Sequence, residues 1–558
     1  MTSPTMAALC LGVVCGPLLA GPLAAPAPPG GVRVSPNVAM NAPQAPMPRG
    51  ELGRAAAAVA ADPEGRQVVA AWETIQGFCG LPLPFGDPCP PRDPPGLTAF
   101  GVSTDGGRTW TDAGSPPVAD GAFAAGHPWL DRGGEDDRTF FLVSRARSTT
   151  DATLIGITFY SGRFENGAFA WRHGRLISPA RLGDYWRSSS VAAAKGGSGD
   201  VYAALSNLQS RCGIPGRGTG QIEVLHSPDA GVTWEPPVVV GKDDTLVTPD
   251  PSDPRCGATG TTQIAPSLAV GDHGDVYAVW QFGPWVYDYT PGPVATLFPT
   301  AHTISFRFAR SLDRGRTWSA PKDVAWSYSL GEDPPVGYSK DNINDFPRIA
   351  LAADGPHRGR LYLTYPAVMR EVASFPTEQQ VVSSQVYLVW SDDQGSTWSA
   401  PVPLAPAVPA TGIKRLWPTV AVEPGGKVDV VYLESQEREA TERPAAHASD
   451  TACVALLPTG LFRAGRNSSL VDLYWVQSTD GGAHFGWPDR VTSETTDWCR
   501  TTYDLGGFLE ANFGNYLGIF PGRDRTFAVW TDGRSGVPDA FFSEIRSEAV
   551  PAIRSEAK

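Results

Sequence analysis

The chain has 558 residues and a formal net charge of −13 at pH 7. This excess of acidic residues argues against a nucleic-acid partner, because phosphate binding needs a surplus of Lys and Arg on one face. The chain contains 61 glycines and 53 prolines, and only 18% of its residues are charged, which is typical of many short strands joined by tight turns. A hydrophobic content of 42% is ample for a large core and excludes general disorder.

The N-terminal segment, residues 1–30, has the pattern of a secretory leader. Residues 7–14 are apolar, Pro17 and Pro22 interrupt the run, and small residues follow at 23–25. A membrane span would need about 20 uninterrupted apolar residues, so the segment is better interpreted as a cleaved signal peptide than as an anchor. We therefore expect a secreted protein without a membrane span.

One strand pattern recurs along the rest of the chain, as an apolar run that ends in an aromatic or large apolar residue. From Trp72 to Trp530 the copies repeat at intervals of roughly 76 residues, a length that suits a four-stranded blade with extra loops. The pattern predicts an all-β protein, a β-propeller with seven four-stranded blades. A six-bladed ring is the alternative if one unit is an inserted excursion. The copies are residues 68–72, 140–143, 201–205, 276–280, 361–365, 428–432 and 527–530.

A second motif, S-x-D-x-G-x-T-W, predicts a tight hairpin turn in most of these units. The Asp carboxylate can accept hydrogen bonds from the turn's own amides, and the Gly two residues later tolerates a positive φ. A fifth copy at 478–485 ends in His-Phe instead of Thr-Trp, and the second unit has lost its copy. We expect a structural role, and no catalytic one, for the motif aspartates, which are Asp105, Asp229, Asp313, Asp393 and Asp480.

The two ends of the repeat region predict how the ring closes. The seventh unit ends near residue 545, too early to supply a fourth strand, whereas residues 32–36 resemble the segment that follows the motif in other units. We expect this N-terminal strand to complete the last blade, which removes an open sheet edge. A single propeller domain is thus predicted over residues 31–547, followed by a C-terminal tail at 548–558.

Cysteine usage supports export to an oxidising compartment. Beyond the leader the cysteines fall into three pairs that are close in sequence, and no C-x-x-C or histidine cluster indicates a metal site. We expect no metal and no cofactor, and three disulfides that each close a long loop. The expected pairs are Cys79 with Cys89, Cys212 with Cys256, and Cys453 with Cys499.

The repeated motif resembles the signature of the Asp-box, or bacterial neuraminidase repeat, superfamily, and the resemblance to secreted sialidase-like propellers covers nearly the whole chain. In that family the box lies on the blade periphery, away from the central ligand site. Sialidases cleave a terminal sialic acid through a tyrosine nucleophile. The family's functional set comprises three arginines that grip the substrate carboxylate, a Tyr/Glu pair, and an aspartic acid that acts as acid/base.

Transferring this set to the chain gives a partial match. The family's Arg-Ile-Pro motif is absent; the first unit offers Arg54, and residues 346–349 hold the same letters in another order. Tyr516 opens the last unit, where sialidases carry their nucleophile. Glu434, at the end of the sixth unit's inner hairpin, is the candidate to pair with it, and Asp345 is the third candidate catalytic residue.

Propeller geometry predicts further site residues, because the first strand of each blade lines the central channel. Arginine and tryptophan at the starts of these strands suit an acidic sugar, with charge for the carboxylate and an indole for the ring face. The alternative is that such residues merely plug or hydrate the channel. The candidate substrate-binding residues are Arg54, His127, Arg187, Arg348, Arg415, Trp417 and Asn515.

Three functions remain open at this point. The favoured one is a secreted sialidase-like glycoside hydrolase that acts on terminal, acidic sugars of glycans. The second is a non-catalytic extracellular propeller that binds carbohydrate or protein, since function resides in sites and not in folds. The third is a polysaccharide lyase on uronic acids, for which His127 or Tyr503 would serve as the base. A glycan partner and a monomeric state are expected.

Overall fold

The computed structural model of the chain describes most of the predicted propeller. The described residues are 31–42, 54–74, 96–151, 154–181, 184–209, 220–242, 246–250, 253–285, 303–328, 330, 335, 345–368, 383–407, 412–438, 468–501, 504–505, 508–509, 513–514 and 516–547. Within these ranges the regular structure is β throughout, apart from a 3-10 turn at Trp498–Arg500. No helix in the described part of the chain is long and apolar enough to cross a membrane. The predicted leader at 1–30 and tail at 548–558 lie outside these ranges, and the predicted domain bounds stay a prediction.

The strands are short, as the frequent Gly/Pro turns predict. In the N-terminal half they are β1 (Val32–Val34), β2 (Val38–Ala39), β3 (Arg54–Ala61), β4 (Val68–Thr74), β5 (Thr98–Ser103), β6 (Thr111–Asp112), β7 (Ala122–Ala124), β8 (Trp129–Gly133), β9 (Thr139–Ser148), β10 (Leu154–Glu165), β11 (Ala168–Arg181), β12 (Asp184–Ala193), β13 (Val201–Gln209), β14 (Gly220–Ser227), β15 (Val238–Lys242), β16 (Leu246–Asp250) and β17 (Asp253–Val270). In the C-terminal half they are β18 (Val276–Trp285), β19 (Thr303–Ser311), β20 (Lys322–Tyr328), β21 (Arg348–Leu351), β22 (Leu361–Val368), β23 (Ser384–Ser391), β24 (Val402–Pro403), β25 (Ile413–Val422), β26 (Val428–Arg438), β27 (Ser468–Ser478), β28 (Asp489–Arg490), β29 (Thr496–Asp497), β30 (Asp504–Leu505), β31 (Phe508–Leu509), β32 (Gly518–Gly522), β33 (Arg525–Asp532) and β34 (Asp539–Ser547).

These strands form successive antiparallel units in which each strand pairs with the next along the chain. Units 4 and 5 share one sheet, but only the single pair Tyr328↔Val368 joins them. The fold is therefore an all-β propeller, as predicted. The number of blades stays a prediction. The described residues can be traced as seven units, in agreement with it. They are unit 1 (β3–β6), unit 2 (β7–β11), unit 3 (β12–β15), unit 4 (β17–β20), unit 5 (β21–β24), unit 6 (β25–β28) and unit 7 (β32–β34 with β1).

The N-terminal strand closes unit 7, which confirms that part of the fold prediction. Strand β1 pairs antiparallel with β34, with Val32 opposite Ser547 and Val34 opposite Ile545. Strand β2 continues along the same edge, and the Asn37 side chain donates to the Ser543 hydroxyl over 2.8 Å. The last strand thus gains a partner from the other end of the domain, so no edge is left open there.

Each repeated S-x-D-x-G motif folds into the same hydrogen-bonded turn, hereafter the box turn. In the third copy Asp313 accepts bonds from the Ser311 hydroxyl (2.8 Å) and from the amide and hydroxyl of Thr317 (2.8 and 2.6 Å). The hydroxyl and amide of Thr317 hold the pKa of Asp313 down, at about 2. All these bonds of the carboxylate are made within the turn. The same bonds recur at Asp105, Asp229 and Asp393, and at Asp480 the ring of His484 replaces the threonine hydroxyl.

The box turns also join neighbouring units. The glycine of each turn has a positive φ and lies against an aromatic ring of the preceding unit. A Cβ built on Gly231 would lie 1.9 Å from the Phe159 ring, which also meets the indole of Trp234 edge-on at a centroid distance of 4.8 Å. Only glycine fits such a position. The motif therefore fixes both the hairpin and the packing between units.

Four of the first strands have a break in register near their start. It lies between Ala55 and Ala58 in β3, between Trp186 and Ser189 in β12, between Ile264 and Ser267 in β17, and between Leu416 and Thr419 in β25. Such bulges bend a strand and re-aim its side chains.

Candidate ligand site at the centre of the propeller

Residues from five units meet in one buried cluster, hereafter the central cluster. It contains Ala56 of unit 1, Ile264 and Ala265 of unit 4, Phe346 before β21 and Tyr516 before β32, with Trp129 of unit 2 packed against it. Only the centre of a propeller can bring so many units together. The cluster therefore marks the place where propeller geometry predicts a ligand.

Arg348, the first residue of β21, reaches this cluster with its guanidinium. The carbon Cζ lies 4.4 Å from the Trp129 ring centroid, 5.3 Å from that of Tyr516 and 5.6 Å from that of Phe346. Arg348 is 4% exposed, and burial lowers the pKa of its guanidinium to about 10. The side chain is thus a buried cation enclosed by aromatic faces.

The Arg348 guanidinium has almost no hydrogen-bond partner. Its only bond within the described part of the chain is a long one, 3.4 Å from Nη1 to the carbonyl of Pro347. Among the described residues Nε has no partner, and no carboxylate of these residues lies within ion-pair distance of the guanidinium. Buried charges in proteins are normally paired, so this cation has an unused capacity to bind an anion. A guanidinium can hold a carboxylate through two parallel bonds.

Tyr516 is held firmly in the same cluster. Its hydroxyl donates to the carbonyl of Pro128 over 2.6 Å, and its ring lies 5.3 Å from that of Trp129. Burial raises the pKa of Tyr516 well above its usual value of 10, the Glu73 carboxylate adds to the rise, and the Arg348 cation opposes it. The phenol is therefore protonated, and it needs a base if it is to act as a nucleophile.

Glu73, on β4 of unit 1, is the carboxylate whose charge adds to the raised pKa of Tyr516. It is buried, and its Oε2 has no hydrogen-bond partner in the described ranges. It lies beside Gly126 of unit 2, where an added Cβ would come within 3.0 Å of its Oε1. The central cluster thus holds a cation and a phenol, and the buried Glu73 carboxylate is near enough for its charge to raise the pKa of that phenol. The sequence analysis did not single out this glutamate.

Two of the predicted site residues pair with each other instead of joining the central cluster. Arg415 and Glu434 face each other across the β25–β26 hairpin, and Nε of Arg415 donates to Oε2 of Glu434 over 2.8 Å. Nη1 of Arg415 also bonds to Gln385 and to the carbonyl of Pro406. The carboxylate predicted to serve Tyr516 is therefore occupied by an arginine of its own unit.

The other described candidates lie around the cluster in structural contacts. Nη1 of Arg54 donates to the Thr74 hydroxyl across unit 1 over 3.3 Å. The carboxylate of Asp345 accepts the amide of Leu330 over 3.2 Å. Trp417 is buried, with its ring 6.3 Å from that of Trp498. His127 is buried just before Pro128, with a φ of 52°.

Several predicted residues cannot be placed. Asn515 and Tyr503 lie outside the described residues, as do Cys79, Cys89, Cys212 and Cys453, while Arg187 and Cys256 are described by their backbone alone. Cys499 is buried and disulfide-bonded, and its predicted pairing with Cys453 stays a prediction. No group of three or more His, Cys, Asp or Glu side chains that could hold a metal occurs in the described ranges.

Trp129 and Phe346 were missed by the sequence analysis, although a signal for Phe346 exists. Four units carry a proline, directly before β8 or β21 or inside β17 or β25, as His127-Pro128, Ala265-Pro266, Phe346-Pro347 and Trp417-Pro418. Aligning the units on this proline would have placed Phe346 level with two predicted site residues, His127 and Trp417. No comparable pattern identifies Glu73, because its relation to Tyr516 joins the first unit to the last.

Comparison with known proteins gives similarity of fold at low sequence identity. No protein-family model matches the chain. Among solved structures, the GH93 α-L-arabinofuranosidase of Fusarium graminearum with arabinobiose has a TM-score of 0.43 and 12% identity, over 72% of this chain and 92% of that one. The α-L-arabinanase of Penicillium chrysogenum with arabinobiose has a TM-score of 0.40 and 14% identity, over 72% and 94%. A Trypanosoma rangeli sialidase in complex with 2,3-difluorosialic acid has a TM-score of 0.32 and 11% identity, over 89% and 54%. Similarity at this level carries no argument about activity.

Proposed function

We propose that the chain is a sialidase-like glycoside hydrolase that binds a terminal acidic sugar at the central cluster. The observation that carries the proposal is the buried guanidinium of Arg348, which has no ion-pair partner among the described residues. Removing a cation from water costs several kcal/mol unless an anion compensates it. A substrate carboxylate would supply that compensation.

The surroundings of Arg348 suit a sugar acid better than a small inorganic anion. The indole of Trp129 and the ring of Tyr516 flank the guanidinium and offer apolar faces to a pyranose ring. A carboxylate held by Arg348 would therefore leave its sugar against aromatic rings. The resemblance to sialidases predicts such an arrangement with three arginines, of which Arg348 is the one that the described residues place at the central cluster.

In this proposal Tyr516 is the nucleophile and Glu73 is its base. As the phenol oxygen forms a bond to the anomeric carbon, its proton passes to Glu73, and the Arg348 cation stabilises the developing phenolate. Water then cleaves the glycosyl-tyrosine bond. In the same proposal Asp345, the third candidate catalytic residue, is given the role of the acid that protonates the leaving oxygen.

A second candidate function, acidic-glycan binding without catalysis, is favoured by one observation. The Tyr516 hydroxyl already donates a short bond to the Pro128 carbonyl, and the side chain is 5% exposed. This gives the tyrosine a packing role that needs no chemistry. In that case Arg348 and Trp129 would bind the sugar acid and Tyr516 would only support them. No contact among the described residues favours the uronic-acid lyase.

The test is hydrolysis of fluorogenic glycosides, a sialoside and a glucuronide included, by the mature chain and its variants. We expect turnover by the unmodified chain and its loss in Tyr516→Phe and Glu73→Gln. The matched control is Tyr160→Phe, because Tyr160 is also a buried tyrosine whose hydroxyl donates to a proline carbonyl, that of Pro117 over 2.9 Å. Titration with free sugar acids separates the two candidates. Binding without turnover supports the binding propeller, and absence of both contradicts the proposal.

Secretion is part of the same proposal, since a sialidase-like enzyme acts on extracellular glycans. Export of the chain from a host with an oxidising secretory route, followed by N-terminal sequencing, tests it. We expect the mature N-terminus near residue 30. Retention of residues 1–30 in an exported protein would contradict the predicted signal peptide.

A further inference from the structure

A second buried polar group lies next to the proposed site and takes no part in the chemistry above. Gln281 of β18 has no exposed surface, and neither its amide nitrogen nor its amide oxygen has a hydrogen-bond partner in the described part of the chain. More than about nine in ten buried polar groups in proteins are paired. An amide with both ends unpaired therefore calls for a reason other than packing.

The register of β18 places Gln281 at the edge of the proposed site. Its partner across the sheet is Ile264, which belongs to the central cluster. Side chains alternate along a strand; Val279 packs against Ile349 of unit 5, whereas Trp280 packs on the opposite side, in the core shared with unit 3. Gln281 is two residues from Val279 and so points to the same face of the strand. It therefore faces unit 5, near the start of β21, which begins with Arg348.

The same position is polar and incompletely paired in two other units whose first strand has a bend. It is the residue two places beyond the strand-pair partner that follows the bend, as in Ala58↔Ala71 and Ser189↔Leu205. Both side chains are buried, and each has an atom without a partner in the described ranges. They are Glu73 with Oε2 and Asn207 with Oδ1. Recurrence at one level indicates a polar rim around the central cluster.

We propose that Gln281 is a specificity-determining residue of this site. Its amide would form hydrogen bonds with a neutral polar group of the ligand. The inference rests on the proposed function, because it takes the acidic group of the ligand to be held by Arg348. An amide can donate and accept at once, which matches two neighbouring hydroxyls or an acylamino group on a sugar ring. The preferred ligand is then a polyhydroxylated sugar acid rather than a simple carboxylic acid.

Replacing Gln281 by leucine separates this role from a structural one. Exchanging an unpaired buried amide for an apolar group of similar shape leaves nothing unsatisfied, so the folded state is expected to lose no stability. A bound sugar acid would lose its partner and keep an unpaired polar group. If the amide instead holds only a buried water, ligand affinity would not depend on it.

The experiment is calorimetric titration of the mature chain with N-acetylneuraminic acid and with glucuronic acid. We expect Gln281→Leu, and Gln281→Met as a second apolar variant, to weaken binding of the preferred acid by about 10-fold or more without lowering the unfolding midpoint. Gln477→Leu is the control, because Gln477 bonds to Asp429 in unit 6 over 2.9 Å. That change should lower the midpoint and leave affinity unaltered.

The outcomes separate this inference from the function on which it rests. Unaltered affinity in a folded Gln281→Leu or Gln281→Met protein overturns the role of Gln281 and leaves the proposed function intact. Failure of the folded, unmodified chain to bind either acid overturns the proposed function, and the role of Gln281 with it.

Discussion

The box turns and the central cluster differ in how fully their charged side chains are hydrogen-bonded. In the box turn of unit 4 the Asp313 carboxylate accepts three bonds from Ser311 and Thr317. In the central cluster the Arg348 guanidinium is buried with one long bond to a carbonyl. The paired carboxylate lies in the repeated part of each unit, whereas the unpaired cation lies at a position that differs from unit to unit.

This difference distinguishes polar groups that stabilise the propeller from polar groups that are available to bind a ligand. A polar group whose bonds are all made locally stabilises the fold and has nothing left to offer a ligand. A buried group with unused bonds lowers stability, so its presence indicates a function elsewhere. On this criterion we assign Arg348, Glu73 and Gln281 to the proposed site, and we assign the box aspartates to the fold.

The largest effect is expected from removing a buried arginine that is paired. Arg415→Met would leave the buried Glu434 carboxylate without its partner, and we expect a loss of about 3–5 kcal/mol in the free energy of unfolding. Denaturant titration measures it. A loss below about 1 kcal/mol would show that pairing does not distinguish the two regions.

A substantial effect is also expected where a box turn packs on the preceding unit. Gly231→Ala would drive a methyl group into the Phe159 ring at a φ of 90°, and strain and overpacking together should cost about 2–4 kcal/mol. Gly167→Ala is the matched control, because Gly167 has a φ of 82° with nothing within 4 Å of the added Cβ. Thermal unfolding of both variants gives the difference, and equal losses would remove the packing role of the box glycine.

A smaller, pH-dependent effect is expected from a buried acid far from both regions. Burial, with the neighbouring Asp429 carboxylate, raises the pKa of Glu423 to about 8, and the Lys427 ammonium, 3.8 Å from Oε2, opposes the rise. Between the ordinary value of 4.5 and about 8 the folded chain holds a proton that the unfolded chain has released. Stability should therefore fall as the pH rises through this window, by on the order of 1 to 3 kcal/mol.

The check on Glu423 is urea unfolding at the two ends of that window, with Glu423→Gln as the comparison. The glutamine variant cannot ionise, so its stability should change less with pH than that of the unmodified chain. Box carboxylates act in the opposite sense, because the contribution of Asp313 is lost only as the pH falls towards about 2. Equal slopes in the variant and the unmodified chain would contradict the account of Glu423.

The sequence predicted the periodic features of the molecule and only part of the site. The strand runs, the box turns and the closing strand at residues 32–36 depend on local turn chemistry and on strand periodicity, which a single sequence displays. Tyr516 and Arg348 were singled out because they open first strands. Glu73, which we propose as the base for Tyr516, was not, because the choice between Glu434 and Glu73 depends on register and on how the first and last units meet. Within its hairpin Glu434 lies directly opposite Arg415, whose Nε donates to it.

We propose that Arg348 binds a ligand and does not stabilise the folded chain. The most direct test of this claim is Arg348→Met, measured both for unfolding free energy and for binding of N-acetylneuraminic acid and glucuronic acid. We predict that the free energy of unfolding stays the same or rises by about 1–4 kcal/mol, and that acidic-sugar binding is lost. A loss of stability comparable to that of Arg415→Met, with binding retained, would contradict the claim and make Arg348 a structural residue.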